Sequence, residues 1–225
     1  MDQDALKKQA GEAAAALVKD GMIVGLGTGS TVKYTILELA RRVREEGLQI
    51  KGIPTSVESE ALAQEGGIPL TNLTEDPIVD LTIDGADEFD AEFNLIKGGG
   101  GALTREKIVA FASKRMAVVA DESKEVKKLG TTFALPVEVI ELGLTPIKTF
   151  LEKAGAEVTL RGDGAYRTDN GNPILDAKFT AIDDPYVLEE DLLLYPGVVE
   201  CGLFLGLCTD VFVARADGVQ RMSRS

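Results

Sequence analysis

Histidine and tryptophan are absent from this 225-residue chain, and cysteine occurs only twice. Without histidine there can be no Ser-His-Asp or Cys-His hydrolase, no imidazole general base and no imidazole metal ligand. The two cysteines, Cys201 and Cys208, lie in an apolar stretch and are too few for a disulfide scaffold, so a reduced, cytoplasmic setting is expected. Any catalysis must therefore use carboxylates, lysine, tyrosine, hydroxyls or backbone amides.

Basic residues are also outnumbered by acidic ones. The chain has 24 Lys and Arg residues and 37 Asp and Glu residues, which gives a net charge of −13. Nucleic acids and anionic membrane surfaces both select for basic footprints. The charged N-terminal segment lacks the apolar run of a signal peptide, and no stretch approaches the roughly 18 apolar residues that a membrane helix needs. Neither a nucleic acid nor a membrane is therefore an expected partner.

Short apolar runs alternate with helical patterns over the first 130 residues. The patterns predict helices at 2–19, 31–44, 57–64 with Ser56 as N-cap, and 104–114, and strands at 22–24, 49–53, 78–83 and 116–120. This alternation is typical of an α/β fold with a doubly wound, mostly parallel sheet. We predict a Rossmann-like catalytic domain over residues 1–130, completed by a hairpin within about 205–225.

The pattern changes over residues 131–204. Strands and helices follow in the order β-α-β-β-α-β, at 133–140, 145–154, 157–160, 173–179, 185–194 and 198–203. This order is typical of the ferredoxin-like fold. We therefore predict a second, smaller α+β domain over residues 131–204.

A glycine-rich sequence, GLGTGST at residues 25–31, lies between the first predicted strand and the next helix. Glycines let the backbone approach a ligand closely, and the free amides of a helix N-terminus suit a phosphate. The spacing is neither a dinucleotide fingerprint, since Ser30 or Val32 stands at the third glycine position, nor a P-loop. A phosphate or carboxylate site is one interpretation, and a tight turn N-capped by Ser30 or Thr31 is the other.

An acidic sequence, Asp84-Gly85-Ala86-Asp87-Glu88, follows the strand predicted at 78–83. Ligands of open parallel sheets bind at the carboxyl ends of strands. Two carboxylates three positions apart can share such a site and divide the acid and base roles. The alternative is a solvated acidic turn, which is common in a chain with 37 acids.

A second glycine run follows a lysine in the sequence Lys97-Gly98-Gly99-Gly100-Gly101. Ordering four consecutive glycines costs conformational entropy. Such a run is explained if the backbone N–H groups must approach an anion closely. With the charge of Lys97 they would form an oxyanion site.

Two further charged residues follow this run. Glu106 stands at the start of a predicted helix, where it is either a general base or a helix-dipole acid N-capped by Thr104. Lys124 follows the next strand and either holds a phosphate or lies on the surface. A glutamate base beside lysine and backbone amides suits abstraction of a proton next to a carbonyl, with stabilisation of the enediolate.

Over residues 4–221 the sequence closely resembles the type A ribose-5-phosphate isomerases. The resemblance rests on GLGTGST, TIDGADE, LIKGGGGALTREKI, VADESK, LPVEVI, TDNGN and PGVVE, in that order. It implies interconversion of D-ribose 5-phosphate and D-ribulose 5-phosphate without metal or organic cofactor, in a homodimer or tetramer. The partner would be a small phosphosugar.

The resemblance also implies roles for particular residues. Substrate would be bound by Thr28, Gly29, Ser30, Thr31 and Lys124, with the phosphate near the helix start. Asp84, Gly85, Ala86, Asp87, Lys97, Gly98, Gly99 and Gly100 would line the reacting end. Glu106 would move a proton between C2 and C1, Lys97 and the glycine amides would face the oxyanion, and Asp84 and Asp87 would act at the sugar hydroxyls.

Two other functions are compatible with the pattern. One is a non-catalytic sugar-phosphate sensor on the same scaffold, although no DNA-binding module or basic patch accompanies it. The other is an acyl-CoA transferase-like enzyme, which shares glycine-rich βα loops and would use a covalent glutamate. Turnover of ribose 5-phosphate, against binding alone or a trapped thioester, separates the three hypotheses.

Overall fold

A six-stranded sheet is built from the first and last parts of the chain in the computed structural model, which describes residues 3–224. In chain order the helices and strands are α1 (Gln3–Ala15), β1 (Ile23–Leu26), α2 (Val32–Glu46), β2 (Lys51–Pro54), α3 (Val57–Gly66), β3 (Leu81–Gly85), β4 (Glu88–Phe89), β5 (Leu95–Ile96), α4 (Leu103–Phe111), β6 (Met116–Asp121), β7 (Leu135–Val139), α5 (Leu144–Lys153), β8 (Glu157–Leu160), β9 (Ile174–Lys178), α6 (Pro185–Leu193), β10 (Val198–Cys201), β11 (Leu203–Phe204), β12 (Asp210–Arg215) and β13 (Gly218–Ser223). They form two compact units. Within the described residues, unit one is 3–86, 105–124 and 207–224, and unit two is 87–104 and 125–206.

Unit one contains the six-stranded sheet in the order β13-β12-β6-β3-β1-β2. Its pairs are parallel except that of β12 with β13. Alternate residues of the strands face opposite sides. Val24 and Leu26 join the core formed with α1 and α2, whereas Ile53 joins Val79 and Val109 of α4 on the other side. Helices therefore cover both faces, as in a doubly wound sheet.

Unit two contains a four-stranded antiparallel sheet in the order β10-β7-β9-β8. Numbered by position in the β-α-β-β-α-β run, this order is 4-1-3-2. Buried residues of α5 and α6, among them Ile147, Leu151 and Leu192, pack with strand residues such as Val137 and Leu175. A second, three-stranded sheet has the order β11-β5-β4. The fold is thus mixed α/β, with a mostly parallel sheet and a separate antiparallel one, as the sequence predicted.

The compact units divide the chain differently from the predicted domains. Residues 87–104 and 125–130 belong to unit two, although the sequence placed them in the domain 1–130. The reason is that β4 and β5 pair antiparallel with each other and β5 pairs with β11, all within unit two. Residues 1, 2 and 225 of the predicted domain lie outside the described residues.

Some helices and strands also end at residues other than those predicted. The helix predicted over 2–19 ends at Ala15, because Leu17 and Val18 donate three residues back, to Ala14 O and Ala15 O. Its predicted first residue, Asp2, lies outside the described part of the chain. The final hairpin joins the first sheet, since β12 lies parallel to β6. Within residues 3–224 no helix combines the length and apolar content that crossing a bilayer requires.

Candidate active site

Three neighbouring parallel strands of unit one, β1, β3 and β6, end at the same edge of their sheet. Loop 27–31 follows β1, Asp84 lies in the last two residues of β3, and Lys124 comes soon after β6. The strand order reverses between β1 and β3, because β2 lies beyond β1 while β6 lies beyond β3. Such a switch point is where open α/β sheets bind ligands.

Asp84 ties the ends of β1 and β3 together. Its side chain is fully buried, and its Oδ1 accepts hydrogen bonds from Thr28 N at 3.0 Å and Gly85 N at 2.7 Å. Gly27 packs so closely that a Cβ atom on it would lie 2.6 Å from the Asp84 Cα. The first glycine loop and the acidic strand end therefore form one structure.

A cluster of hydroxyl groups that the sequence analysis did not single out supports this loop. The buried Thr28 Oγ1 lies 2.8 Å from both Thr55 Oγ1 and Ser56 Oγ, and Ser59 Oγ donates to Gly27 O at 2.5 Å. The predicted N-cap of α3 is confirmed, since Ser56 Oγ accepts from Ser59 N at 3.1 Å. The Thr28 hydroxyl thus helps to hold the loop in shape.

The other loop residues stand at the N-terminus of α2. Gly29 has a φ of +117°, a conformation that favours glycine, and Gly29 and Ser30 are exposed. Thr31 occupies the N-cap position, but its side chain makes no capping hydrogen bond, and the first turn contains no acidic residue. Thr31 is therefore the N-cap residue, one of the two that the sequence offered, but its side chain does not cap the helix, and the helix start suits an anion.

Glu106 lies in the first turn of α4, with a side chain that is only 3% exposed. The helix packs on the sheet where Val109 approaches Gly25, and it runs back toward the start of β6, so its N-terminal turn lies at the carboxyl edge. The proposed N-cap role of Thr104 is wrong. The helix already begins at the buried Leu103, and Thr104 Oγ1 donates instead to Glu138 Oε2 at 2.5 Å.

Lys124 ends a short 3₁₀ turn, Glu122–Lys124, that follows β6. Asp121 Oδ1 fixes this turn by accepting hydrogen bonds from Ser123 N at 2.9 Å and from the Ser123 hydroxyl. Lys124 is half-buried at the same edge as Asp84. Unit one therefore brings together Thr28 to Thr31, Asp84 to Ala86, Glu106 and Lys124.

Unit two carries the remaining predicted residues. The antiparallel pairing of Glu88 with Ile96 brings Asp87 and Lys97 to the same end of β4 and β5. Lys97 is only 2% exposed, and its Nζ lies 5.3 Å from the centroid of the Phe204 ring. A buried lysine held over an aromatic face retains a favourable environment for its charge.

The glycine run after Lys97 needs glycine for two reasons. Gly98 and Gly101 have φ values of +104° and +80°, which L side chains rarely adopt. Gly99 is needed for close approach, because its N–H donates to Asp87 Oδ2 at 2.8 Å and a Cβ would lie 2.7 Å from Asp87 Oδ1. Unit two thus brings Asp87, Lys97 and the glycine loop together.

Two residues that the sequence analysis missed contact this loop in unit two. Arg161 donates to the carbonyl oxygens of Gly98 and Gly99, and Tyr166 Oη donates to Gly100 O. Although burial favours the neutral form, the hydrogen bond to Asp176 leaves the pKa of Arg161 raised. No motif marks these residues, because they lie about sixty residues from the loop in sequence.

A buried carboxylate in β7 anchors the neighbouring segment. Glu138 is fully buried and accepts hydrogen bonds from Thr104, Thr168, Asn170 and Asn172. The turn of residues 168–172 is therefore folded around this carboxylate.

One group of side chains in unit two has the composition of a metal site. Potential ligand atoms of Glu189, Glu200 and Cys201 lie within 4.8 Å of one another. Glu200 Oε1 already accepts a hydrogen bond from Cys201 N at 2.8 Å. None of the predicted site residues belongs to this group. The expectation of a cofactor-free reaction stays a prediction.

The doubly wound sheet, with a glycine loop and buried acids at its switch point, defines an α/β enzyme acting on a small anionic ligand. A family model of ribose 5-phosphate isomerase A (phosphoriboisomerase A) matches residues 51–218. A ribose-5-phosphate isomerase A of Desulfatibacillum aliphaticivorans is 51% identical over 224 residues, covering 98% of this chain and 97% of that one. The enzyme of Methanothermobacter thermautotrophicus is 51% identical, covering 96% of each.

Solved structures agree with these sequence matches. The ribose 5-phosphate isomerase A of Methanocaldococcus jannaschii has a TM-score of 0.93 and 44% identity, covering 99% of this chain and all of that one. A D-ribose-5-phosphate isomerase in complex with phospho-erythronic acid has a TM-score of 0.97 and 40% identity, with both chains covered completely. The chain belongs to the ribose 5-phosphate isomerase A family.

Proposed function

We propose that this chain interconverts D-ribose 5-phosphate and D-ribulose 5-phosphate through a cis-enediolate, with Glu106 as the base. The isomerisation follows from membership of the family, which favours it over the sensor and the acyl-CoA transferase. One solved relative is in complex with phospho-erythronic acid. The planar carboxylate of such an acid resembles an enediolate, so a phosphosugar is the substrate class.

The substrate phosphate binds at the start of α2. Support comes from the exposed Gly29 and Ser30, the absence of acids from the first helical turn, and the N-cap position of Thr31. A helix N-terminus offers amide donors and a positive dipole end to an anion. Lys124, at the same edge of the sheet, supplies the compensating positive charge.

The proton transfer is assigned to Glu106, and its burial at the carboxyl edge is the observation that carries this assignment. A buried carboxylate at the edge where such sheets bind ligands is well placed to act as a general base. In the open-chain aldose, Glu106 takes the proton from C2, leaving an enediolate with negative charge on O1. Once the O2 proton has moved to O1, which leaves the negative charge on O2, Glu106 returns its proton to C1 and the C2=O2 carbonyl forms, which gives the ketose.

The developing charge on oxygen is stabilised by Lys97 and by N–H groups of the glycine loop. Donors aimed at charge that forms only in the transition state accelerate the chemical step. Asp84 and Asp87 act at the sugar hydroxyls, where ring opening and proton exchange between O1 and O2 need an acid-base group. Asp84 is held by two backbone amides and Asp87 by one, which keeps both carboxylates in place.

Replacing Glu106 by Gln tests the assignment. We expect turnover of ribose 5-phosphate to fall by about 10²–10⁴-fold, the usual worth of a general base. The matched control is Glu58→Gln, which changes an exposed first-turn glutamate of α3 and should keep full turnover. In D₂O, NMR should detect solvent deuterium in the product of the wild type. Near-normal turnover of Glu106→Gln would remove Glu106 from this role.

We also propose that the protein acts in the cytoplasm as a homodimer or tetramer. The family resemblance supports the assembly, and the two buried cysteine thiols, Cys201 and Cys208, suit a reducing compartment. Light scattering coupled to size-exclusion chromatography measures the mass of the assembly, and a monomer at micromolar concentration would contradict the proposal.

A further inference from the structure

Arg161 holds the glycine loop from the side of its carbonyl groups. Its Nη1 donates to Gly98 O at 2.9 Å and to Gly99 O at 3.2 Å. Its Nε and Nη2 donate to the two oxygens of Asp176 at 2.9 and 2.5 Å. Both side chains are mostly buried, at 15% and 20% exposure. The two-point ion pair fixes the plane of the guanidinium, and one nitrogen remains for the loop.

The direction of the carbonyl groups determines the direction of the amides. In a trans peptide the C=O and the following N–H point to opposite sides. Because Gly98 O and Gly99 O both face Arg161, the N–H groups of Gly99 and Gly100 both face away from it. The Gly99 N–H donates to Asp87 Oδ2 on that side. The Gly100 N–H is therefore aimed toward the side on which Asp87 lies.

We infer that Arg161 and Asp176 are positioning residues for the isomerisation, and that they orient the Gly100 N–H toward the developing oxyanion. This inference rests on the proposed function. Arg161 acts through the backbone of the loop. Asp176 acts through Arg161.

Tyr166 supports the next peptide in another way. Its Oη donates to Gly100 O at 3.2 Å, while the N–H of the same peptide, on Gly101, donates back to Gly98 O at 2.9 Å. That N–H closes the turn and is not aimed at a ligand. Tyr166→Phe should therefore lower kcat less than a change at Arg161.

The kinetic signature follows from the direction of the amide. A donor that meets charge only in the transition state acts on kcat, whereas phosphate contacts act equally on ground and transition states. Removing one oxyanion donor typically costs ~10²–10³-fold in kcat. Because Arg161→Met would loosen the donor without removing it, we expect kcat to fall about 10- to 100-fold with KM nearly unchanged.

The experiment compares Arg161→Met, the double variant Arg161→Met with Asp176→Asn, and Arg161→Lys. The double variant leaves no unpaired buried carboxylate, and Arg161→Lys keeps the ion pair but lacks the forked donor, so at least one folded protein is expected. The matched control is Arg44→Met, since Arg44 Nη1 donates to Gly66 O at 2.9 Å in unit one. Each variant is measured for kcat, KM, and affinity for phospho-erythronate and for inorganic phosphate.

The expected result is a parallel loss of kcat and of phospho-erythronate affinity in the Arg161 variants, with phosphate affinity unchanged and Arg44→Met like wild type. A folded variant with kcat within twofold of wild type, or a raised KM at full kcat, would overturn the inference. The amide resonances of Gly99 and Gly100 in ligand-free, ¹⁵N-labelled protein separate the two proposals. They should shift in the Arg161 variants even if the role of Glu106 fails, and unshifted resonances would also overturn the inference.

Discussion

Gly27 offers a sharp test of how the first glycine loop is joined to the acidic strand end. A Cβ atom added there would lie 2.6 Å from the Asp84 Cα and still closer to its carboxyl group. Backbone cannot move aside as the end of a flexible side chain can. Gly27→Ala must therefore push loop 27–31 away from β3 and break the hydrogen bond from Thr28 N to Asp84 Oδ1.

The magnitude combines two costs. Overpacking a tight site costs about 1–3 kcal/mol, and losing a hydrogen bond to a charged group costs about 1.5–3 kcal/mol. Neighbouring effects do not add fully, so we expect Gly27→Ala to lower the free energy of unfolding by about 2–4 kcal/mol. For a chain of this size that lowers Tm by about 4–16 °C.

Gly85→Ala is the matched control for stability. Its added Cβ would lie 3.6 Å from Thr28 O and from Val32 Cγ2, which is ordinary contact, and its backbone is outside the left-handed region. We expect its free energy of unfolding to change by less than about 1 kcal/mol. Urea titration and thermal denaturation of both variants measure the difference. Equal stability of the two would refute the close packing of Gly27 on Asp84.

Three further outcomes are expected. Asp210→Asn should lower the free energy of unfolding by about 2–4 kcal/mol at pH 7, because Arg115 and Arg221 hold the Asp210 pKa well below its usual value although burial opposes this. A depressed pKa stabilises the fold above the unfolded value near ~4, so the gap between wild type and variant should close as pH falls below it; a gap that stays constant in acid would contradict the ion-pair explanation. Lys124→Met should raise KM about 10- to 100-fold in steady-state assays, with kcat little changed, if Lys124 binds the phosphate. Turnover should survive dialysis against EDTA, and a loss that added metal restores would show that the reaction needs a metal.

The local parts of the fold were the ones that sequence patterns could predict. The alternation of apolar runs and helices predicted the parallel sheet, and Ser56 was found as an N-cap because its partner, Ser59, is three residues away. Strands of two residues, such as β4 and β5, are too short to show a period of two. They were missed, and with them the reason why residues 87–104 join unit two.

The parts of the site that lie close together in the sequence could be predicted. The motifs GLGTGST, DGADE and KGGGG each place glycine or charged residues within a few positions, which indicates close backbone approach or charge at a site. The contact of Arg161 with Gly98 spans 63 positions, and nothing local distinguishes Arg161 from a surface arginine. Thr104 was misread as an N-cap because α4 begins one residue earlier, at Leu103, whose burial depends on tertiary packing and is not visible in the local sequence.

The order in which the chain is synthesised makes β12 important for solubility during folding as well as for completing the sheet. The six residues of β6 are all buried, yet the neighbour that covers one of their edges, β12, emerges only after the whole of 125–206 has been made. Until then β6 presents an open, apolar strand edge, the kind of surface on which nascent chains aggregate. Stop codons that remove only the last twenty residues should therefore produce inclusion bodies, even though the glycine loops and Glu106 are all present in the shortened chain.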